Sequence, residues 1–582
     1  MDLARKIGHI SITLWFVMPI VSSLTFASEQ MDEIAMAYIR TLAPEDQSRI
    51  GIKEMRSQGR TIHHDHNSHY LASLQETRQW LQSVQDGFKG SEIHRRELNL
   101  LGTTLDQSIC LVAQLIDLNY ITILSSPLIN LLNPADIIFG SLNALVLIKA
   151  ALPEIAARFK FYVHGDGNAR PFVVAIQEET AKLIAAYGSN GRYPYIKHLE
   201  YIVDEGKLSK IISELKTLLP DESDAIQIFQ DQMKHYVEFV NHNLIPHAAQ
   251  TTELPRHIYE LRLKLYGVDA KPEELIARGL QEFAGPYQRY KELANEIAAQ
   301  KGDPARFPTD NPAIVLNELI KDLTIEDPTE VIVMYRRAQK EIEQIIRETD
   351  FVSLPHRPVV VRPGTEAEEA IMPIPHVNSP NFIGNDGSVW PEFVLCDLKG
   401  NSNTLAAYPL TAHEGRPGHD LQFSRMVEMT LNGEMNLFES VLSKNTTNVE
   451  GWAHYVEYAM SEHFPPEVRL SAIRDQLLRM ARSFLDPQIN LGLIKHEDVV
   501  NYQRDIVGFS DQTPKSEADR YSFKFPGQAV SYRYGAQKIM DLRDKLKDKM
   551  KDKFNLRRFH DAILSFGLMP VNLIEDLVEE RM

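Results

Sequence analysis

The chain has 582 residues, 43% apolar and 24% charged, which excludes wholesale disorder and a collagen-like repeat. Its 62 basic and 79 acidic residues leave a formal net charge of −17, the opposite of the basic footprint that nucleic acid or an anionic membrane requires. Two cysteines, Cys110 and Cys396, cannot build a disulfide scaffold or a thiolate zinc site, so any metal falls to His, Asp or Glu, with 20 histidines available.

At the N-terminus, Arg5 and Lys6 precede an apolar run from Ile10 to Phe26, and Ala27 is followed by polar Ser28-Glu29-Gln30. This order predicts a secretory signal peptide over residues 1–27, cleaved after Ala27. Pro19 and the Ser-rich end weigh against an uncleaved anchor helix, and no cysteine near the cut invites lipid attachment. The mature chain is therefore expected in the periplasm or outside the cell, without stable membrane insertion. Residues 28–350 are expected to form an N-terminal helical lobe and 351–582 a catalytic lobe with the HExxPGH motif, the two making one integrated unit.

Most of the chain carries helical periodicity. Apolar residues recur at three- and four-residue steps in Leu71–Val84, Ala175–Tyr187, Ile211–Leu218, Ile226–Val240 and Val331–Ile346. Thr61–Tyr70 holds His63, His64, His66 and His69; such a tract can bind metal but reads more simply as an exposed loop. Ile121–Leu152, broken by Asn130, Asn133, Asp136 and Lys149, is predicted as buried core helices and not a membrane span. Near residue 350 the composition shifts to short, Pro-punctuated, β-branched segments, Phe351–Pro363 and Ala370–Phe382. Trp390–Leu398 reads as one more strand of a small sheet, at its edge because of Pro391, where it would hold an extended peptide. Cys396 within it is a packed residue and not a nucleophile, and nothing supports a Cys110–Cys396 bond. Helical periodicity resumes near Leu405, and the sign-alternating run Arg543–Lys553 is a solvated helix face.

The chemistry concentrates in Leu410–Phe423, LTAHEGRPGHDLQF. In HExxH the two histidines lie four residues apart and share a helix face. Here His413 and His419 lie six apart, about 600° of rotation, which a regular helix cannot bring to one ion. Pro417 lacks a backbone donor and clashes with the preceding turn, and Gly418 relaxes the chain, so a kink there can bring the rings together. Spacing alone leaves a metal site and an ordinary His pair equally open. About thirty residues on, NVEGWAHYVEY puts Glu450, His454 and Glu457 at i, i+4 and i+7, on one helix face. Three ionisable groups among aromatics are costly to bury unless paired or metal-bound, although taken alone the segment reads more simply as a surface helix with an i,i+4 Glu–His pair.

From about residue 250 onward the chain resembles the bacterial family known as domain of unknown function 885, itself similar to zincin-type metallopeptidases. The resemblance rests on HEGRPGH at 413–419 with Gln422, EGWAHYVEY at 450–458, PGQAVSYRYGAQKI at 526–539 and FNLRRFHDAILSFGLMPVNLIEDLV at 554–578. LPRHIYELRLKLYG at 254–267 and PEELIARGLQEF at 272–283 fit less closely, and nothing before about 170 is diagnostic. It implies a mainly α, two-lobed metallopeptidase-like fold with a small β-sheet beside the active-site helix. It implies one Zn2+ held by His413, His419 and Glu450, with Glu414 as general base. Tyr532 is then the first candidate to hydrogen-bond the developing oxyanion, with Tyr534 and His454 as rivals. Gln422 would orient a ligand, and Arg533 would pair with Glu457 or hold a substrate carboxylate. The reading is a zinc-dependent peptidase acting on a peptide substrate held in a cleft. Its rivals are a metal-dependent amidase on a non-peptide substrate and a non-catalytic binding protein on the same scaffold.

Overall fold

The computed structural model describes residues 23–42, 47, 52–126, 128–130, 132–365, 368, 375–396, 398, 402–442, 445–510 and 512–582. Residues 1–22 of the expected signal peptide lie outside this set. The chain is mainly α with a small mixed sheet, and among the described residues no helix is long and apolar enough to cross a membrane.

The predicted periodic segments are helices, extended by their caps. Helices α1 (His66–Gly87) and α2 (Glu92–Asp117) pair, with Ser91 capping α2 by accepting from the His94 N–H. Ile121–Leu152 is not all helix. After Ile123 it forms a hairpin of β1 (Leu124–Ser126) and β2 (Ile129–Asn130), and only then α3 (Pro134–Leu147). Asn133 caps α3 and Pro134 opens it, so these polar breaks, read as interruptions of a helix, mark where it starts. Helices α4 (Leu152–His164), α5 (Phe172–Tyr187), α6 (Glu205–Leu218) and α7 (Ser223–Asn243) complete an N-terminal core around Phe159, Tyr162, Phe229 and Tyr236.

After α8 (Arg256–Leu265), a second, larger core forms. It recruits α9 (Pro272–Lys301) and α10 (Pro328–Glu348), the latter capped by Asp327 with Pro328 as its first residue. The sheet follows: β3 (Val361–Pro363), β4 (His376–Asn378) and β5 (Glu392–Leu395). Strand β5 runs parallel to β3 and antiparallel to β4, so it is the central strand. The expected edge position of Trp390–Leu398 is thus corrected. Pro391 precedes the paired residues and removes no ladder bond, so it does not force the strand outward. Among the described residues the outer strands are β3 and β4, which lie inside the Pro-punctuated, β-branched segments 351–363 and 370–382. Phe393 and Leu395 pack on Tyr335 of α10 and Ala407 of α11 (Thr404–Glu414), which fixes the sheet against the motif helix.

The body is completed by α12 (His419–Leu431), α13 (Thr446–Ser461), α14 (Pro466–Asn490) and α15 (Val530–Met550). Helices α13 and α15 meet at Gly451 and Gly535. A Cβ on Gly535 would stand 1.8 Å from the Thr447 carbonyl oxygen, so only glycine permits this approach. That crossing brings Glu450 and Tyr532, each close in sequence to one of the glycines, toward one site. Cys110 and Cys396 are not bonded to each other; Cys396 is buried in the body as expected.

Candidate metal centre

Helix α11 ends at Glu414 and α12 begins at His419, so the expected kink is a complete break. The connecting turn contains a cis Arg416-Pro417 peptide. A Cβ on Gly418 would fall 1.8 Å from the His413 carbonyl oxygen, and one on Gly415 2.1 Å from Gln339 Oε1. Gln339 Oε1 accepts from the Arg416 N–H at 3.1 Å, and Trp452 Nε1 donates to the Pro417 carbonyl at 2.9 Å. The buried Arg416 side chain pairs with Asp420 at 2.8 Å. With the turn so held, the His413 and His419 rings meet edge to face, centroids 4.8 Å apart.

Glu450 of α13 faces both rings. Its Oε2 lies 3.6 Å from His413 Nε2 and 3.5 Å from His419 Nε2. Tetrahedral zinc with bonds of about 2.0–2.2 Å holds its ligand atoms about 3.3–3.6 Å apart, so these separations suit an ion better than direct hydrogen bonds. One ligand atom from each of the three residues lies within 4.8 Å of the others, and Glu450 Oε2 is buried without a hydrogen-bond partner. The donor set therefore fits a divalent metal. The Glu450 and Glu414 side chains keep 18% and 15% exposure, so solvent reaches one side of the cluster.

The opposite nitrogen of each imidazole is also engaged. Glu457 Oε1 stands 2.8 Å from His413 Nδ1 and is itself paired with Arg479 at 2.8 Å. His419 Nδ1 lies 3.3 Å from Gln422 Oε1, and Gln422 Nε2 donates to Asn448 Oδ1 at 3.2 Å. Asn448 in turn donates to the Met569 carbonyl at 2.6 Å, so the amides relay from a fixed backbone acceptor. Outer polar contacts of this kind, an ion pair behind His413 and an amide behind His419, fix ring orientation and turn Nε2 toward a metal. Burial alone would lower the His413 pKa, but Glu457, Glu450 and Glu414 outweigh it and raise it to about 9. Burial works against the Glu450 carboxylate, yet both histidines hold its pKa well below the ordinary range.

The remaining expected residues divide. Glu414 lies beside the cluster, its Oε1 3.9 Å from His413 Nε2 and its Oε2 accepting from the Val377 N–H of β4 at 3.0 Å. Tyr532 is buried and stacked against His413, with centroids 6.3 Å apart. Arg520 donates to its hydroxyl at 3.1 Å, and the Arg482 guanidinium lies 4.4 Å from its ring centroid. His454 is fully buried behind Glu457, its Nδ1 3.4 Å from Glu457 Oε2, and burial pushes its pKa down to about 4. Tyr534 points elsewhere, toward the Asp269 carbonyl at 3.4 Å. Arg533 pairs with Glu282 at 2.8 Å and not with Glu457, whose cation is Arg479. Sequence reasoning missed Arg479, Arg482 and Arg520, which sit on other helices at no diagnostic spacing. The His63–His69 tract forms no comparable cluster among the described residues. His66 uses one ring nitrogen on the Leu124 carbonyl and the other on the His63 N–H.

Comparison with known proteins agrees with the fold and leaves the chemistry open. The family model described as "bacterial protein of unknown function (DUF885)" matches residues 142–578. A solved structure described as a putative lipoprotein of unknown function from Shewanella oneidensis is similar at a TM-score of 0.68 and 17% identity, covering 96% of this chain and 100% of that one. A second, described as a putative lipoprotein from Colwellia psychrerythraea, aligns at a TM-score of 0.67 and 17% identity, covering 96% and 98%. At that identity the likeness speaks to the fold alone. No curated protein matches the chain.

Proposed function

The chain belongs to the bacterial family of unknown function DUF885, and we propose that it is a zinc-dependent peptidase of the cell envelope. The observation that carries this reading is the convergence of His413, His419 and Glu450 with a second carboxylate, Glu414, beside them. A carboxylate that stands beside the three ligands without being one of them is what a hydrolase needs as a general base.

Zinc held by the three ligands would supply a Lewis acid that activates water and polarises the scissile carbonyl. Glu414 takes the proton from the attacking water and passes it to the leaving amine. The Val377 N–H, donating to Oε2, holds that carboxylate in position beside the cluster. Tyr532 donates its hydroxyl proton toward the carbonyl oxygen as negative charge develops there. Because Arg520 already donates to the Tyr532 oxygen, the tyrosine's own proton remains available for that task. His454, sealed behind Glu457, serves the site by packing and hydrogen bonding, and Tyr534 has no part in it.

The peptide substrate would lie in a cleft between the two helical lobes, running along β4, the outer strand next to Glu414. An envelope location is supported by the signal-like N-terminus and by two structurally similar proteins, each described as a putative lipoprotein. The test is zinc content and hydrolysis of a mixed peptide pool by wild type and Glu414→Gln. Zinc in both with turnover only in wild type is expected. Zinc without turnover of any peptide would favour an amidase or a binding protein.

A further inference from the structure

Apart from the metal centre, a cavity of about 650 Å3 opens where α8 meets the β1 region and the segment leading into α15. Its lining includes Tyr120, Tyr195, Arg262 and Phe523 but none of His413, Glu414, His419, Glu450 or Tyr532. That volume lies within the range of sites that enclose small molecules.

Arg262 is the group the fold leaves unexplained. Its one side-chain hydrogen bond among the described residues is a 3.5 Å contact from Nη1 to the Leu128 carbonyl, and its Nε is buried without a partner. It pairs with no described carboxylate. The acid that acts on it, Asp486, is already taken by the Tyr259 hydroxyl and the Gly527 N–H, both at 2.9 Å. Burial accordingly lowers the Arg262 pKa from its ordinary value. Arg262 is half-buried on the cavity wall with no described counter-charge, and its planar fork of donors is matched best by a carboxylate. Arg192 stands at the rim, 5.8 Å from the Tyr120 ring centroid, adding positive potential.

We propose that this cavity binds a small molecule carrying one carboxylate on an apolar or aromatic body, of amino-acid to tripeptide size, with Arg262 receiving the carboxylate. The aromatic lining supplies the apolar contact. Glu253, which also lines the cavity, opposes a dianion, so a carboxylate is favoured over a phosphate. The proposal does not rest on the metal chemistry above.

Isothermal titration calorimetry of the full chain with N-acetyl-L-phenylalanine, its C-terminal amide and phenyl phosphate tests it. The acid should bind, the amide at least about tenfold more weakly, and phenyl phosphate no better than the acid. Arg262→Gln should weaken the acid about tenfold or more, while Glu450→Gln should leave it within about twofold. If Arg262→Gln does not fold, Arg262→Lys, which keeps the charge and loses the fork, should show the same direction of loss. Failure of the acid to bind, equal binding of acid and amide, tighter binding of phenyl phosphate, unchanged binding in folded Arg262 variants, or loss in Glu450→Gln would each overturn the proposal.

Discussion

Glu457 Oε1 lies 2.8 Å from Nδ1 of His413, the ring nitrogen opposite the one that faces Glu450. The imidazole is thus gripped from behind by a carboxylate that Arg479 anchors, and its other nitrogen is aimed at the cluster. Glu457→Gln keeps the shape and removes the charge. Zinc affinity should fall about 10- to 100-fold with all three ligands intact. Competition against a chromophoric chelator measures this, and an unchanged affinity would mean that Glu457 is only a structural ion-pair partner.

Tyr532 is the second residue with a defined task. Tyr532→Phe deletes one hydroxyl while retaining the stack on His413 and the contacts with Arg482. On any peptide that the wild type cleaves, kcat should fall about 10²- to 10³-fold with zinc content unchanged. A kcat within a few-fold of wild type would remove the hydroxyl from the reaction.

The turn between α11 and α12 depends on Gly418. Gly418→Ala places a methyl group against the His413 carbonyl, which lies 1.8 Å from an ideal Cβ. The strain should destabilise the fold by about 1–3 kcal/mol and displace His419 from the cluster. Urea unfolding with zinc analysis reads both effects; wild-type stability and zinc content together would show that the turn tolerates a side chain.

His560 makes stability sensitive to acid. It is fully buried, its Nδ1 2.6 Å from the Phe351 carbonyl and its Nε2 2.8 Å from the Tyr455 hydroxyl, and burial pushes its pKa down to about 3. The unfolded chain takes up a proton near pH 6.5 and the folded one does not. This contribution is therefore complete above pH 6.5 and is lost as the pH falls toward 3, by roughly 1.4 kcal/mol per unit. In His560→Gln the decline between pH 6.5 and 4.5 should be shallower than in wild type by about 2–3 kcal/mol, as measured by denaturant unfolding at each pH. Parallel declines would show that His560 is not held neutral.

Local spacing carried the cluster. Glu450 and Glu457 share a face because seven residues make two turns, and Pro417-Gly418 announced the break that brings His419 to His413. What spacing does not encode is which distant element supplies a partner. Arg533 was expected to choose between Glu457 and substrate, yet Glu282 of α9 holds it and Arg479 of α14 holds Glu457. Strand order was hidden for the same reason: Pro391 restricts hydrogen bonding only at its own position, and the pairing of β5 on both sides depends on segments tens of residues away.

The central claim is that His413, His419 and Glu450 hold one catalytic zinc. X-ray absorption at the zinc edge on protein loaded with one equivalent tests it most directly, alongside the Glu450→Gln variant. The account predicts two imidazole nitrogens and carboxylate or water oxygens at about 2.0–2.2 Å, with the zinc lost or its oxygen shell altered in Glu450→Gln. Failure to retain zinc, or an identical spectrum in Glu450→Gln, would contradict it.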